Sequence, residues 1–345
     1  MAKTLQSVRA STPQPDETTY RIISGSANVS ATEAQVQITA RIAGTFDSLR
    51  WKVITNTADY STTVRFRKNV ANGNMTVTAT ASQTGVFSDT SNSDAVVDGD
   101  EFNWSITTGA GTGSCDSRSI TCAFAATTNT AIYNSTNFGE YDGGTDSYYS
   151  GLNGSAGLTT TEAQVKSVLE AAGTLTKAFI YVISNARLST TNYYVRINGA
   201  DSAITIAVLT TATGIFEDTS NTAAVASGDS VNWRIAGAAV GAQSIITKHL
   251  AVSYETTDSS FNIMSSGNDT TFSVGTTRYC RPGCGLTQVT TESDAQITCP
   301  FAFTASNLGI NVNRNTATTN SSSTFYQNGS GTAVTLVITS LTTGY

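Results

Sequence analysis

What most limits the folds open to this chain is that it repeats itself. Thr32-Glu33-Ala34-Gln35-Val36 returns as Thr161-Glu162-Ala163-Gln164-Val165, and the same offset of 129 carries Gly44-Thr45 onto Gly173-Thr174 and Val53-Ile54 onto Val182-Ile183. It continues through Thr84-Gly85-Val86-Phe87-Ser88-Asp89-Thr90-Ser91-Asn92, which returns as Thr213-Gly214-Ile215-Phe216-Glu217-Asp218-Thr219-Ser220-Asn221. Gly99-Asp100 and Asn103-Trp104 return as Gly228-Asp229 and Asn232-Trp233. A third copy lies 259 residues after the first: Gln37-Ile38-Thr39 matches Gln296-Ile297-Thr298, and Asn56-Thr57-Ala58 matches Asn315-Thr316-Ala317. Tyr345 then aligns with Val86, so the third copy is expected to be partial. Repeats of this length divide the chain into units at 1–127, 128–256 and 257–345.

Inside each unit the apolar period is two. Val36, Ile38, Ala40 and Ile42 alternate with polar residues, and Met75, Val77 and Ala79 alternate with threonines, which reads as strands with one buried face. Thr161 to Ala172 carries good helix formers, but its partners at 34–43 and 295–303 alternate, and one repeat position should hold one conformation. Asn72-Gly73, Asn198-Gly199, Asn328-Gly329, Asp98-Gly99 and Ser227-Gly228 supply turn residues between the runs. No helical crossovers separate the strands, so the expected class is all-β: tandem antiparallel β-sandwiches, jelly-roll-like or immunoglobulin-like, with the third copy truncated.

Charge narrows the function. Only 13% of residues are charged and the net charge is -6, with no basic cluster, which argues against nucleic acid as a partner. No apolar run approaches the roughly 18 residues a membrane helix needs, so no membrane partner is expected. Met1-Ala2-Lys3-Thr4-Leu5-Gln6-Ser7-Val8 lacks the apolar segment of a secretory signal, so synthesis in the cytosol is expected. The one histidine, His249, sits in a strand-like run and reads as a strand histidine, not a base. There is no nucleophile elbow, phosphate loop or histidine pair, and a glycosidase carboxylate pair has no positive support. The expectation is a non-enzymatic protein with no cofactor and no metal.

The repeated residues read as structure. Trp104 and Trp233 should fill the sandwich cores, and Phe87 and Phe216 should close them beneath the Asp-Thr turns that begin at Asp89 and Asp218. Asp100 and Asp229, which follow Gly99 and Gly228, are expected to cap turns in preference to ligating calcium. Arg67 and Arg196 are expected on an exposed strand edge. Cys115 and Cys122 flank an expected hairpin and are candidates for one disulfide, Cys280 and Cys284 for another. Cys299, at the position of Ala40, should point inward.

The order of Gly-Thr, Arg-x-Asn, Thr-Gly-x-Phe-x-Asp-Thr-x-Asn and Gly-Asp-x-x-Asn-Trp elements resembles the jelly-roll repeats of bacteriophage virion proteins. The likeness is to capsid decoration (cement) and fibre-like proteins, and more distantly to the trimeric jelly rolls of the complement type. It covers nearly the whole chain from about Val29. The resemblance implies a virion-surface protein made in the host cytoplasm, binding a major capsid or tail protein, as a homo-oligomer with a trimer as the first candidate; a fibre-like member would bind a glycan receptor. The alternative is an extracellular filament or adhesin subunit assembled by strand complementation, with the segment from Lys3 to Tyr20 as candidate donor.

Overall fold

The computed structural model describes residues 3–9, 13–25, 29–136, 140–142, 147–152, 158–238, 243–256, 275–280, 282, 288–310, 312 and 314–343. The first repeat forms β1 (Lys3–Arg9), β2 (Thr18–Arg21), β3 (Val29–Ser30), β4 (Ile38–Thr39) and β5 (Gly44–Asn56). It continues with β6 (Thr62–Lys68), β7 (Ala71–Ala79), β8 (Gly85–Val96), β9 (Glu101–Thr108) and β10 (Cys115–Ala126). One antiparallel sheet runs β1-β10-β5-β8 and the other β3-β2-β9-β6-β7, with β4 on β9. Successive principal strands alternate between the two sheets, except at the β6–β7 hairpin. That is jelly-roll connectivity, not the immunoglobulin one, in which one sheet carries sequential hairpin neighbours.

The second repeat forms β11 (Thr130–Thr136), β12 (Glu140–Tyr141), β13 (Tyr148–Ser150), β14 (Ser167–Val168), β15 (Gly173–Asn185) and β16 (Thr191–Ile197). It ends with β17 (Ala200–Val208), β18 (Gly214–Val225), β19 (Ser230–Gly237) and β20 (Ile245–Thr256). Its sheets run β11-β20-β15-β18 and β13-β19-β16-β17, the same order as the first. β15 to β19 begin and end 129 residues after β5 to β9, so the sequence offset is also a structural one.

In the third repeat the described residues form a four-residue helix, α1 (Glu292–Ala295), and a two-stranded hairpin, β21 (Ser321–Gln327) with β22 (Ser330–Ile338), at the positions of β6 and β7. Residues 303–310, at the position of β5, form no strand. In the other repeats this strand lies between β8 and β10 or their counterparts, and those have no equivalent among the 345 residues. Phe303 and Tyr326 stay exposed, and so do Val337 and Leu341, whose counterparts Thr78 and Ser82 are exposed in the first repeat as well.

Two local expectations are corrected. The run from Val36 to Ile42 is buried at all four apolar positions but holds only the two-residue strand β4, preceded by a 3-10 turn at Glu33–Gln35. The second copy makes the same turn at Glu162–Gln164, so this repeat position holds one conformation and, as expected, no α-helix forms over Thr161 to Ala172. Asn72-Gly73 lies inside β7, and the hairpin turns instead at Asn69 and Val70, with φ of 50° and 65°. Their counterparts Asn198 and Gly199 have φ of 51° and 82°, so Val70 occupies a left-handed position that the second repeat gives to glycine.

Candidate interaction surfaces

The repeated carboxylates serve the sandwich edges. β7 pairs only with β6, and its other side offers free N–H groups. Asp89, on β8 of the opposite sheet, accepts from Thr76 N at 3.0 Å and folds back onto Asn92 N at 3.1 Å and Asn92 Nδ2 at 3.0 Å. Asp94 accepts from Asn74 N at 2.7 Å and Met75 N at 2.9 Å. Asp218 repeats the first arrangement on Thr205 N at 3.0 Å and Asn221 N at 3.0 Å. The counterpart of Asp94 is Ala223, and there Ile204 N instead donates to Ser202 Oγ at 3.2 Å. Burial alone would raise the Asp89 and Asp218 carboxyls, but the hydrogen bonds that converge on each outweigh it and hold both below the ordinary carboxylate range.

Asp100 and Asp229 close turns. Asp100 accepts from Val97 N at 2.9 Å and from Asn69 Nδ2 at 2.7 Å, joining the β8–β9 turn to the β6–β7 hairpin. Asp229 does the same with Ala226 N at 2.7 Å and Asn198 Nδ2 at 2.7 Å. Gly99 and Gly228 precede them at φ of 93° and 92°, with nothing within 4 Å of a built Cβ, so backbone conformation and not space requires glycine. Among the described residues no three His, Cys, Asp or Glu side chains gather as a metal site would need.

Arg67 and Arg196 are not on an exposed edge. β6 and β16 are interior strands, and each guanidinium lies against a glutamate of the Thr-Glu-Ala-Gln-Val motif. Arg67 donates to Glu33 at 2.9 and 2.8 Å, Arg196 to Glu162 at 2.8 and 3.4 Å. Each also holds a carbonyl of its own hairpin, Val70 O or Gly199 O, and lies 5.8 Å from the ring of Tyr20 or Tyr149. The paired repetition of Glu and Arg was the signal in the sequence. In the third repeat the arginine position is Tyr326, which meets Tyr279 edge-on at 5.8 Å.

Trp104 and Trp233 are fully buried in the two cores, and Phe87 and Phe216 pack against them from half-buried positions. Cys115 and Cys122 do not bridge: both are free and buried on β10, a continuous strand and not a hairpin, and seven residues of strand span about 23 Å. Burial pushes the Cys122 thiol well up. Cys284 lies outside the described residues, so the Cys280–Cys284 pairing falls there too. Cys299 is exposed: its counterpart Ala40 is held inward by Gly99 N and Asp100 O of the β8–β9 turn, which has no equivalent among the described residues of the third repeat. His249 is buried, its ring stacked on Tyr181 at 5.3 Å, and burial brings its pKa down to about 3.

Two features are particular to the second repeat. Arg187, at the position of Ala58, is fully buried 4.9 Å from the Tyr141 ring and donates to Ala238 O at 2.6 Å and Gln243 O at 3.2 Å. The next residue, Leu188, is 64% exposed, as is Leu209 on the adjoining loop, which Asn185 Nδ2 ties in through Leu209 O at 3.0 Å. The first repeat has Asp59 and Thr80 at these positions. A pair of leucines held out on rigidly tied loops is the clearest apolar contact point on this repeat. On the outer face of the second sheet, Arg234 lies 4.5 Å from the Tyr194 ring and pairs with Asp201 at 2.7 Å, where the first repeat has Ser105, Arg65 and Asn72.

The segment Lys3–Arg9 is already placed. β1 pairs with β10 of its own sandwich from Lys3↔Ala125 to Arg9↔Ser119, and β2 pairs with β9. Among the described residues no helix is long and apolar enough to cross a membrane. Comparison with known proteins finds no matching family model and no curated protein of significantly similar sequence.

Proposed function

We propose that this is a non-enzymatic structural protein of a virus particle, a capsid decoration protein that binds and stabilises the outer shell. The observation that carries the reading is the use made of the repeated polar residues. Asp89 and Asp218, Asp100 and Asp229, and Arg67 and Arg196 all hold backbone in edges, turns and hairpins. A chain so arranged is a scaffold that presents loops. Leu188 and Leu209 are the loop residues best suited to an apolar contact with a capsid subunit. A protein that binds the assembled shell and not its dissociated subunits shifts the equilibrium away from disassembly.

The test is to strip the protein from particles, add it back, and follow their survival on heating and osmotic shock. Restored resistance, lost again with Leu188→Asp plus Leu209→Asp, is the expected result. Particles equally resistant without the protein would contradict cementing and leave fibre or receptor-binding roles. A filament assembled by strand complementation is the weaker reading, because the candidate donor is hydrogen-bonded along Lys3–Arg9 within its own sheet.

A further inference from the structure

The repeats touch one another through the same pair of surfaces, used twice. The outer face of β10 in the first repeat is buried at Ser119, Thr121 and Ala123, and so is that of β20 at His249, Ala251 and Ser253, 130 residues on. What covers the first face comes from the third repeat. Thr121 Oγ1 donates to Thr298 O at 2.8 Å, Lys52 Nζ to Ser293 O at 2.6 Å, and Arg118 faces Asp294 at 3.7 Å. What covers the second comes from the first repeat. Lys177 Nζ donates to Arg41 O at 2.7 Å, and Arg41 lies 5.5 Å from the Phe179 ring while pairing with Glu217. Thr298 is the counterpart of Thr39, so Ser293–Thr298 and the stretch around Thr39–Arg41 belong to one segment of the repeat. In both contacts this segment of one repeat lies against the sheet that holds β5 and β10, or β15 and β20, in the next.

Head-to-tail contacts of this kind either close into a ring or run open. The matched lengths of the connections between repeats favour closure. From Ala126, the end of β10, to Tyr149 is 23 residues, and from Thr256, the end of β20, to Tyr279 is again 23. Tyr149 and Tyr279 stand at equivalent places, each in an isolated bridge, to Thr159 and to Val289. In a ring both connections join like neighbours and should match. In an open row the order is third, first, second, and the later connection would have to travel past the first repeat. Ser48 and Lys177, at the bulges of the covered sheets, share left-handed φ of 58° and 49°, and Asn307, their counterpart outside any strand, keeps 54°.

We propose that the three repeats close into a pseudo-three-fold ring, with Val168–Glu170 of the second repeat docked beside Asn307–Gly309 of the third. The occupant of this last contact is the third repeat of the same chain. One chain then carries the three-fold form that the resemblance assigned to a homotrimer, whatever partner the ring meets.

Thr80, Leu209 and Thr339 are exposed counterparts on the three repeats. Spin labels on pairs of cysteines at these positions, in the full chain with Cys280, Cys284 and Cys299 changed to Ser, give three distances by double electron–electron resonance. The 339–80 and 80–209 distances should be equal, and a ring requires the 209–339 distance to equal them, unchanged on dilution with unlabelled chain. A 209–339 distance longer than the other two overturns the ring, and so does one that vanishes on dilution, since the contact would then lie between chains.

Discussion

At five inward-facing positions of the jelly roll the first repeat places Phe46, Trp51, Phe66, Phe102 and Phe124, and the second places Leu175, Ile180, Val195, Val231 and Tyr254. The first core is an aromatic cluster, with Phe46 at 5.0, 4.9 and 4.5 Å from Phe66, Phe102 and Phe124. The second is mostly aliphatic. Strand order and strand ends nevertheless coincide from β5 to β9 and from β15 to β19. Core identity can change when total volume and alternation are kept. What does not change is Trp104 and Trp233, the Asp89 and Asp218 edge caps, the Asp100 and Asp229 turn caps, and the arginine clamp.

That comparison can be broken most sharply at Phe46, which touches three other rings. Phe46→Ala should cost about 3–5 kcal/mol, and in hydrogen exchange the loss of protection should spread across β5, β6, β9 and β10 while the β16–β17 hairpin keeps its own. Loss of protection in both repeats alike would mean that the cores are not separate. Next come the shared edge caps. Asp89→Ala and Asp218→Ala each leave several N–H groups without an acceptor and should cost about 1–3 kcal/mol in denaturant titration, by similar amounts. Both carboxyls titrate below their ordinary 3.8 in the folded chain. Their contribution is therefore complete above that pH and is lost as pH falls through the lower folded value, and Asp89→Asn should flatten that acid limb.

His249 should make the second repeat the acid-sensitive one at milder pH. Its folded pKa of about 3 lies below the ordinary 6.5, so the unfolded chain binds the extra proton between those values. Stability should fall by up to about 1.4 kcal/mol per pH unit as pH drops below 6.5. His249→Ser, which installs the residue of the first repeat at Ser119, should remove that slope in thermal melts between pH 7 and pH 4. The smallest effect is at the hairpins. Val70→Gly should stabilise the chain by about 1 kcal/mol by relieving a left-handed β-branched residue, whereas Gly199→Val should destabilise it.

The all-β class and the matching of the first two repeats were legible because alternation and turn residues survive changes of core residue. The choice of jelly roll over immunoglobulin connectivity was not, since both show short alternating strands. The Asn69–Val70 turn was missed because valine gives no turn signal, and only its counterpart Asn198-Gly199 reveals it. Cys115 and Cys122 misled because polar residues between them resembled a turn, whereas Ser119 and Thr121 face the covered side of a strand. Arg67 and Arg196 looked exposed because their glutamate partners lie 34 residues earlier, beyond the reach of local pattern. Leu188 and Leu209 stand out only against Asp59 and Thr80 of the first repeat.

Immunogold electron microscopy of unfractionated particles and cells from the source culture, with antibody against this chain, tests the decoration role most directly. The expected result is gold distributed over the outer shell of icosahedral heads. Gold confined to tail tips or to cell-attached fibres would contradict it.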